Sequence, residues 1–407
     1  MADVEGGFIT ANRVRQAHPD NLTQHKLFHK YFIFSYFIYM IIAVNTRLNK
    51  ETQPEGYEDF MFTILDQLTK KNPQHQFLFI FDSPYDEKIS FAENVLPVIA
   101  GPKTSNSLRL QYWFNYKVPV VLRKHKADVF VSMEGICSLR TKTPQCLLIS
   151  DLRFLQYPPG IKKSQTRFYK KYTAAFLAKS KSIATVSEYS KKLIADHHKI
   201  AKEDIAVVHP GIDDIFKPLD WEEKEIIKEK YAGGKAYFLC SGNNNLITLL
   251  KAFSFFKKRQ KSNMMLLIAG NADAIFKKEL STYKYRDEVR LLENLAKEDY
   301  AKIMAAAYAL VYPVLYTDLA LPPLQAMQCG VAVVTSKTEG LPSICSEAAL
   351  YSNTEDFKDI AENMMLVFKD ENKVTELIEA GNKLIQQYRP GKSADLLMQC
   401  ILKAINN

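Results

Sequence analysis

The sequence predicts an α/β protein made of two Rossmann-like, doubly wound parallel-sheet domains facing each other across a cleft. Three observations lead there. The chain has 407 residues, more than double the roughly 150 of an average domain. From Met40 onward, short β-branched or aromatic runs alternate with longer amphipathic stretches, as in parallel sheets covered on both faces. A charged stretch, KPLDWEEKEIIKEKYAGGK (217–235), carries a Pro near its start, closes on Gly233-Gly234 and divides the series in two. With 47% hydrophobic and 24% charged residues, the composition excludes wholesale disorder, collagen-like repeats and a multi-span membrane protein.

Met1 to Lys30 is polar and patternless, and an uncharged aromatic-rich run, Tyr31 to Val44, follows it. That run falls short of the ~20 apolar residues of a spanning helix. It lacks the preceding basic region and the small-residue cleavage site of a signal peptide. Residues 1–39 therefore read as an appendage outside the fold, with a short membrane-dipping anchor as the rival reading. The first strand series is MIIAVNTRL (40–48), FLFIFDS (77–83), ADVFVSM (127–133), QCLLISD (145–151), SIATVS (182–187) and IAVVHPG (205–211). Between its first two members, Phe60, Ile64, Leu65 and Leu68 keep one helix face apolar. The second series is KAYFLCSGN (235–243), MMLLIAGN (264–271), VRLLENL (289–295), AYALVYPV (307–314) and VAVVTSK (331–337). The expected division is a first domain over 40–216 completed by a C-terminal helix over 393–407, a linker over 217–235, and a second domain over 236–392. Ligands of open parallel sheets sit at the carboxyl ends of the strands, so the site belongs in the cleft, on loops of both halves.

Lys plus Arg number 54 and Asp plus Glu 45, a net charge of +9 that favours anionic partners. The six cysteines are scattered without a CxxC pair, which fits a reducing compartment and gives no sign of structural zinc. The stretch 161–192 holds nine Lys/Arg and one Glu, with Phe168, Tyr169, Tyr172 and Phe176 interleaved at helical spacing. Such a helix either lies against an anionic bilayer surface or presents a solvated charged face whose aromatics belong to the core. No nucleic-acid module accompanies it, so nucleic acid is not an expected partner. His197 and His198 read as solvated surface.

The second half carries VYPVLYTDLALPPLQAMQCGVAVVTS (311–336) and then EGLPSICSEAALYSN (339–353). This resembles the donor-binding region of family-4 retaining glycosyltransferases of the GT-B fold, which typically reads YPSxxEGFGLPxLEAMAxGxPVVxS followed by LPEVxGDAAL. The first half agrees: IATVSEYSKKLIADHHKIAKEDIAVVHPGIDDIFKP (183–218) resembles the family's xTVSxxSKxxL…VVxNGVDxxxFxP segment, and CLLISDLRFLQYPPG (146–160) its TIHDLxxxxxPE stretch. The matches occur in the family's order over about 40–355. The resemblance implies a cytoplasmic enzyme, peripheral at the inner membrane face, that moves a sugar from a nucleotide-diphosphate donor to a glycan or lipid-linked acceptor with retention of configuration. It implies no metal and no cofactor. The donor side would be Gly242, Asn243, Asn244, Thr317, Leu319, Ala320, Leu321 and Gln325. A diphosphate needs backbone N–H groups and a helix N-terminus, and LALPPLQAM supplies a tight turn before a helix with Pro in its first turn.

The departures from the pattern fall on charge. The family's two glutamates, separated by seven residues, align with Thr317 and Gln325. Gln325 keeps an acceptor for a ribose hydroxyl, whereas Thr317 offers no charge to an oxocarbenium-like transition state. Asp318 stands next door and is a candidate catalytic carboxylate. The loop CSGNNNLITLLKAF (240–253) keeps Gly242 but is shortened, and no cation replaces the family's basic pair. Asn243 and Asn244 donate hydrogen bonds without charge, and Lys251 is expected to face solvent. Ser150 replaces the family histidine before Asp151, the second candidate catalytic residue, and the family's Gly-Gly-x-Gly loop is reduced to Gly56. Ser343 and Ser346 stand where the family has a Glu and a Gly. On the acceptor side Gly56, Ser150 and His209 are candidates, with Glu134-Gly135 a further strand-end pair. Fold-determining positions are kept and charge-bearing ones changed, so a GT-B protein with a degenerate site, serving as a binding or scaffolding part of an envelope-glycan or secretion assembly, is the alternative.

Overall fold

The computed structural model describes residues 39–48, 56–85, 91–156, 162–242, 245–338 and 340–407. Residues 1–38 of the expected appendage, with Asn243 and Asn244, lie outside the described residues. The first half builds a seven-stranded sheet from β1 (Ile41–Asn45), β2 (Gln76–Phe81), β3 (Val95–Ile99), β4 (Val129–Ser132), β5 (Gln145–Ile149), β6 (Ser182–Thr185) and β7 (Ile205–Val207), in the order β3-β2-β1-β4-β5-β6-β7. The second half builds a six-stranded sheet from β8 (Tyr237–Ser241), β9 (Met265–Ala269), β10 (Val289–Leu292), β11 (Ala309–Tyr312), β12 (Ala332–Ser336) and β13 (Leu350–Ser352), in the order β10-β9-β8-β11-β12-β13. All pairings are parallel, for instance Ala43 opposite Leu78 and Leu310 opposite Val333. In each sheet the winding reverses once, between β1 and β4 and between β8 and β11. Loops leaving the carboxyl ends of those neighbours diverge and open a crevice.

Central strands such as β5 and β8 are buried along their whole length, which is why they read as continuous apolar runs rather than alternating ones. β3 and β13 escape the sequence pattern; both are sheet edges, as are β7 and β10, which the pattern does show. β3 leaves Leu96 and Ile99 exposed and contains Pro97, which an edge tolerates because no neighbour needs its N–H. β13 has only three residues.

The stretch expected to be a linker contains a helix, Trp221–Ala232. Asp220 accepts the Glu223 N–H at 2.8 Å while the Glu223 carboxylate accepts the Asp220 N–H at 3.2 Å, a reciprocal capping box. Gly233, at φ +59°, closes the other end. Only Ile227 and Ala232 are buried, so the hydrophobic pattern is faint. The C-terminal helix, Pro390–Asn406, returns to the first half and packs on the helix Tyr57–Lys71. Lys71 donates to the Gly391 carbonyl at 3.1 Å and pairs with Asp395. Gly211 lies where the chain crosses back: a Cβ there would stand 2.7 Å from Pro390 Cα.

The basic helix is Lys163–Lys179, and its aromatics turn inward. Phe168 and Phe176 are buried, and Tyr169 stacks on Phe154 with centroids 5.2 Å apart. Lys163, Arg167, Lys170 and Lys171 remain exposed. Among the described residues, no helix is long and apolar enough to cross a membrane.

Leu397, fully buried on the returning helix, holds that helix to the first half. Leu397→Ala should cost about 2–5 kcal/mol, read as a lower urea midpoint with an unchanged slope.

Candidate active site

A cavity of about 360 Å³ opens at the carboxyl ends of β8 to β11, where the switch-point geometry directs a ligand. Ser241 ends β8, Gly270 and Asn271 follow β9, Asn294 and Leu295 follow β10, and Thr317 and Leu319 follow β11. Two helices supply the rest of the second-half wall: Leu321–Gln328 through Leu321, Pro322 and Gln325, and Lys297–Ala305 through Lys297 and Tyr300. Gly56 and Asp59 of the first half face them. Gly56 adopts φ +79°, and a Cβ on it would stand 2.7 Å from Leu321 Cδ1. The halves meet backbone to side chain at that point, and only glycine fits.

The loop after β11 is held by its own polar groups. Thr317 Oγ1 accepts the Ala320 N–H at 3.2 Å, so the residue aligned with the missing glutamate ties the loop. Ala320 is buried at φ +47°, a left-handed conformation unusual for a residue with a Cβ. Asp318 turns away from the cavity into the first half. Its Oδ2 accepts the Leu152 N–H at 2.6 Å and the Tyr316 hydroxyl at 2.7 Å, and its Oδ1 lies 3.3 Å from Ser190 Oγ. Burial, with the nearby charge of Asp151, pushes the Asp318 carboxyl up to about 7 against the pull of those hydrogen bonds.

Gln325 is buried, and the Tyr300 hydroxyl lies between its Oε1 at 3.4 Å and Ser241 Oγ at 2.8 Å. In the helix that carries it, Pro322 and Pro323 occupy the second and third positions, so two of the N–H donors that a helix start normally offers an anion are missing. Lys297 supplies positive charge instead. It opens the helix Lys297–Ala305, and its Nζ lies 2.9 Å from Asp213 Oδ2 and 3.1 Å from Asp59 Oδ1. Burial draws the Lys297 ammonium down, but the two carboxylates outweigh it and hold its pKa above the ordinary lysine range.

In the first half, the carboxyl ends of β1 and β4 carry a buried ion pair. Arg47 makes a two-pronged contact with Glu134, one prong Nε to Oε1 at 3.0 Å, and donates Nη1 to Thr104 Oγ1 at 3.0 Å. Asn45 Nδ2 donates to Glu134 Oε1 at 2.6 Å. The pair lies beside a second cavity of about 300 Å³ lined by Arg47, Thr104, Ser105, Asn106, Gln165 and Tyr169, among others. Asp151 is bound twice by its neighbour Arg153, at 2.8 and 3.1 Å, and accepts the Arg153 N–H at 2.9 Å.

Residues 55–215 match the family model Glycosyltransferase Family 4, and residues 223–384 match Glycosyl transferases group 1. The chain belongs to the group 1 glycosyltransferases of the GT-B fold. It is 24% identical over 316 residues to the O-antigen chain mannosyltransferase RfbU of Salmonella typhimurium, covering 75% of this chain and 83% of that one. To the O-antigen chain mannosyltransferase B of Escherichia coli it is 25% identical over 230 residues, 54% of this chain and 60% of that one. Among solved structures, WaaG, a glycosyltransferase involved in lipopolysaccharide biosynthesis, superposes with a TM-score of 0.71 at 15% identity, covering 88% of this chain and 99% of that one. Anabaena HepE in complex with UDP and glucose gives 0.65 at 13% identity, covering 89% and 99%.

Of the residues singled out from the sequence of this group 1 glycosyltransferase, Gly56, Thr317, Leu319, Leu321 and Gln325 come together around the larger cavity. Gly242, at φ +84°, and Ala320, at φ +47°, are not among its lining residues, though each is a chain neighbour of one, Ser241 and Leu319. Ser150 does not join them: its hydroxyl donates to the Met133 carbonyl at 3.0 Å. Nor does His209, whose ring packs on Tyr388 at 5.2 Å and whose pKa is lowered by burial. Asp151 and Asp318 are spent on Arg153 and on the seam between the halves. The sequence reading missed Lys297, Asp59, Tyr300 and Arg47. Lys297 was findable in principle, because the helix after β10 must begin at the cleft edge. Asp59 and Arg47 depend on contacts across the fold.

The raised Asp318 carboxyl makes the folded state hold a proton that the unfolded chain has released between its ordinary value near 3.8 and about 7. Stability should therefore fall as pH rises through that window, by at most roughly 1.4 kcal/mol per pH unit. Thermal melts of the wild type and Asp318→Asn from pH 4.5 to 7.5 check this: the substitution should flatten the slope.

Proposed function

We propose that this protein transfers a hexosyl residue from a nucleotide-diphosphate sugar to a glycan or lipid-linked acceptor of a surface polysaccharide, with retention of configuration. One observation carries the reading: the cavity at the carboxyl ends of β8 to β11, with buried Gln325 on one wall and Gly56 of the opposite half on the other. Gln325 keeps a carbonyl acceptor for a ribose hydroxyl, and the curved loop 317–320 lies beside the place of a diphosphate. The two mannosyltransferase relatives support a mannosyl-type donor. The acceptor would lie on the first half, where the Arg47–Glu134 pair and its neighbours offer fixed donors and acceptors to sugar hydroxyls. The exposed cations of the helix Lys163–Lys179 would hold the enzyme to an anionic bilayer on the cytoplasmic face.

Catalysis in this reading is positional. Closing the halves excludes water, and the donor phosphate accepts the proton of the attacking hydroxyl. Thr317 contributes loop geometry rather than charge, so turnover should be slow. That same substitution, with Asp318 bound into the seam, motivates the second reading, a GT-B scaffold without transferase activity.

Calorimetric titration with a panel of nucleotide-diphosphate sugars separates the two. The enzyme reading expects saturable binding of one donor with slow hydrolysis, and Gln325→Ala should weaken that binding by about tenfold, the loss of roughly one hydrogen bond to a sheltered group. Absence of binding across the panel would leave the scaffold.

A further inference from the structure

A departing nucleoside diphosphate gains negative charge, and the shortened loop after β8 carries no lysine or arginine to meet it. The start of the helix Leu321–Gln328 is also poor in donors, with prolines at its second and third positions. Among the described residues that line the larger cavity, Lys297 is the one cationic side chain. It belongs to an element remote in sequence from both of those segments, the helix that follows β10.

We propose that Lys297 is the diphosphate-binding cation of this protein, kept waiting by Asp59 and Asp213 and released to the donor when it arrives. The inference rests on the cavity being the nucleotide-sugar site and adds to that reading the group that meets the charge. One ammonium between two carboxylates sums to a net charge of −1 at the cavity wall, which repels a diphosphate. Binding therefore requires Lys297 to leave at least one of them.

Both carboxylates can spare it. Asp213 also accepts the Ile215 N–H at 3.0 Å, so its charge stays hydrogen-bonded within its own turn. Asp59 lies in the first turn of the helix Tyr57–Lys71, where the helix dipole favours a carboxylate. Its side chain is 47% exposed, so water can take over as its partner. Pairs this exposed are weak, whereas a phosphate in a sheltered cleft gives a stronger, charge-assisted contact. The flexible stem of a lysine suits such an exchange better than the rigid fork of an arginine. Asp59 comes from the first half and Lys297 from the second, so the exchange also undoes a tie across the cleft.

Calorimetry on the full chain tests this with UDP and GDP, their nucleosides and inorganic pyrophosphate. Lys297→Gln should weaken the better nucleoside diphosphate by tenfold or more and leave its nucleoside unchanged, and Lys297→Arg should recover part of the loss. Asp59→Asn should tighten the diphosphate several-fold, because a competitor for Lys297 is gone. If Lys297→Gln binds the diphosphate like the wild type, or if Asp59→Asn weakens it as a lost tie would, the proposal fails while the cavity reading stands. If the wild type binds none of the nucleotides, the cavity reading fails and takes this proposal with it.

Discussion

Asp318 carries its carboxylate out of the second half and buries it against the Leu152 N–H and the Ser190 hydroxyl of the first. The loop between β11 and the helix Leu321–Gln328 is pinned by that contact at one residue and by Thr317 on Ala320 at the next turn. The helix start follows from the loop, and Leu321 at that start sits against Gly56. An uncompensated buried carboxylate would be costly. Three donors reach this one, yet burial and the neighbouring charge of Asp151 still push its pKa up to about 7. The geometry of the cavity thus depends on a seam whose strength changes with protonation.

The same economy of charge runs through the site. Gly56 and Ala320 both hold left-handed backbone at the edge of the cleft, Ala320 despite its Cβ. Around the cavity the helix Leu321–Gln328 opens with two prolines, and Thr317 ties its own loop through the Ala320 N–H. Lys297 reaches the cavity from a different helix with two carboxylates attached. In the first half, Arg47 and Glu134 neutralise each other inside a shell of hydrogen bonds. Such a pair contributes fixed geometry more than net stability. The helix Lys163–Lys179 divides its chemistry in a comparable way, placing rings in the core and cations in solvent.

The central strands and the motif region 311–336 were legible because burial on both faces of a parallel sheet leaves a local, contiguous signal in the chain. The edge strands β3 and β13 were not, although the edges β7 and β10 were: Pro97 and exposed Leu96 and Ile99 break the run of β3, and β13 has only three residues. The helix Trp221–Ala232 was not read from the sequence, because so little of it is buried that it leaves no apolar stripe.

Residue types and their order were enough to place Gly56, Thr317, Leu319, Leu321 and Gln325 on strand-end loops and a helix start, since those positions are set by local backbone geometry. Which side chains face the cavity was decided by the tertiary structure alone. Asp318, Asp151, Ser150 and His209 each found a partner elsewhere. Lys297 and Asp59, some 240 residues apart in the chain, became neighbours. Electrostatic pairing acts over a few ångströms of space, and the linear sequence carries no record of distances that arise only when the loops and helices of the two halves meet.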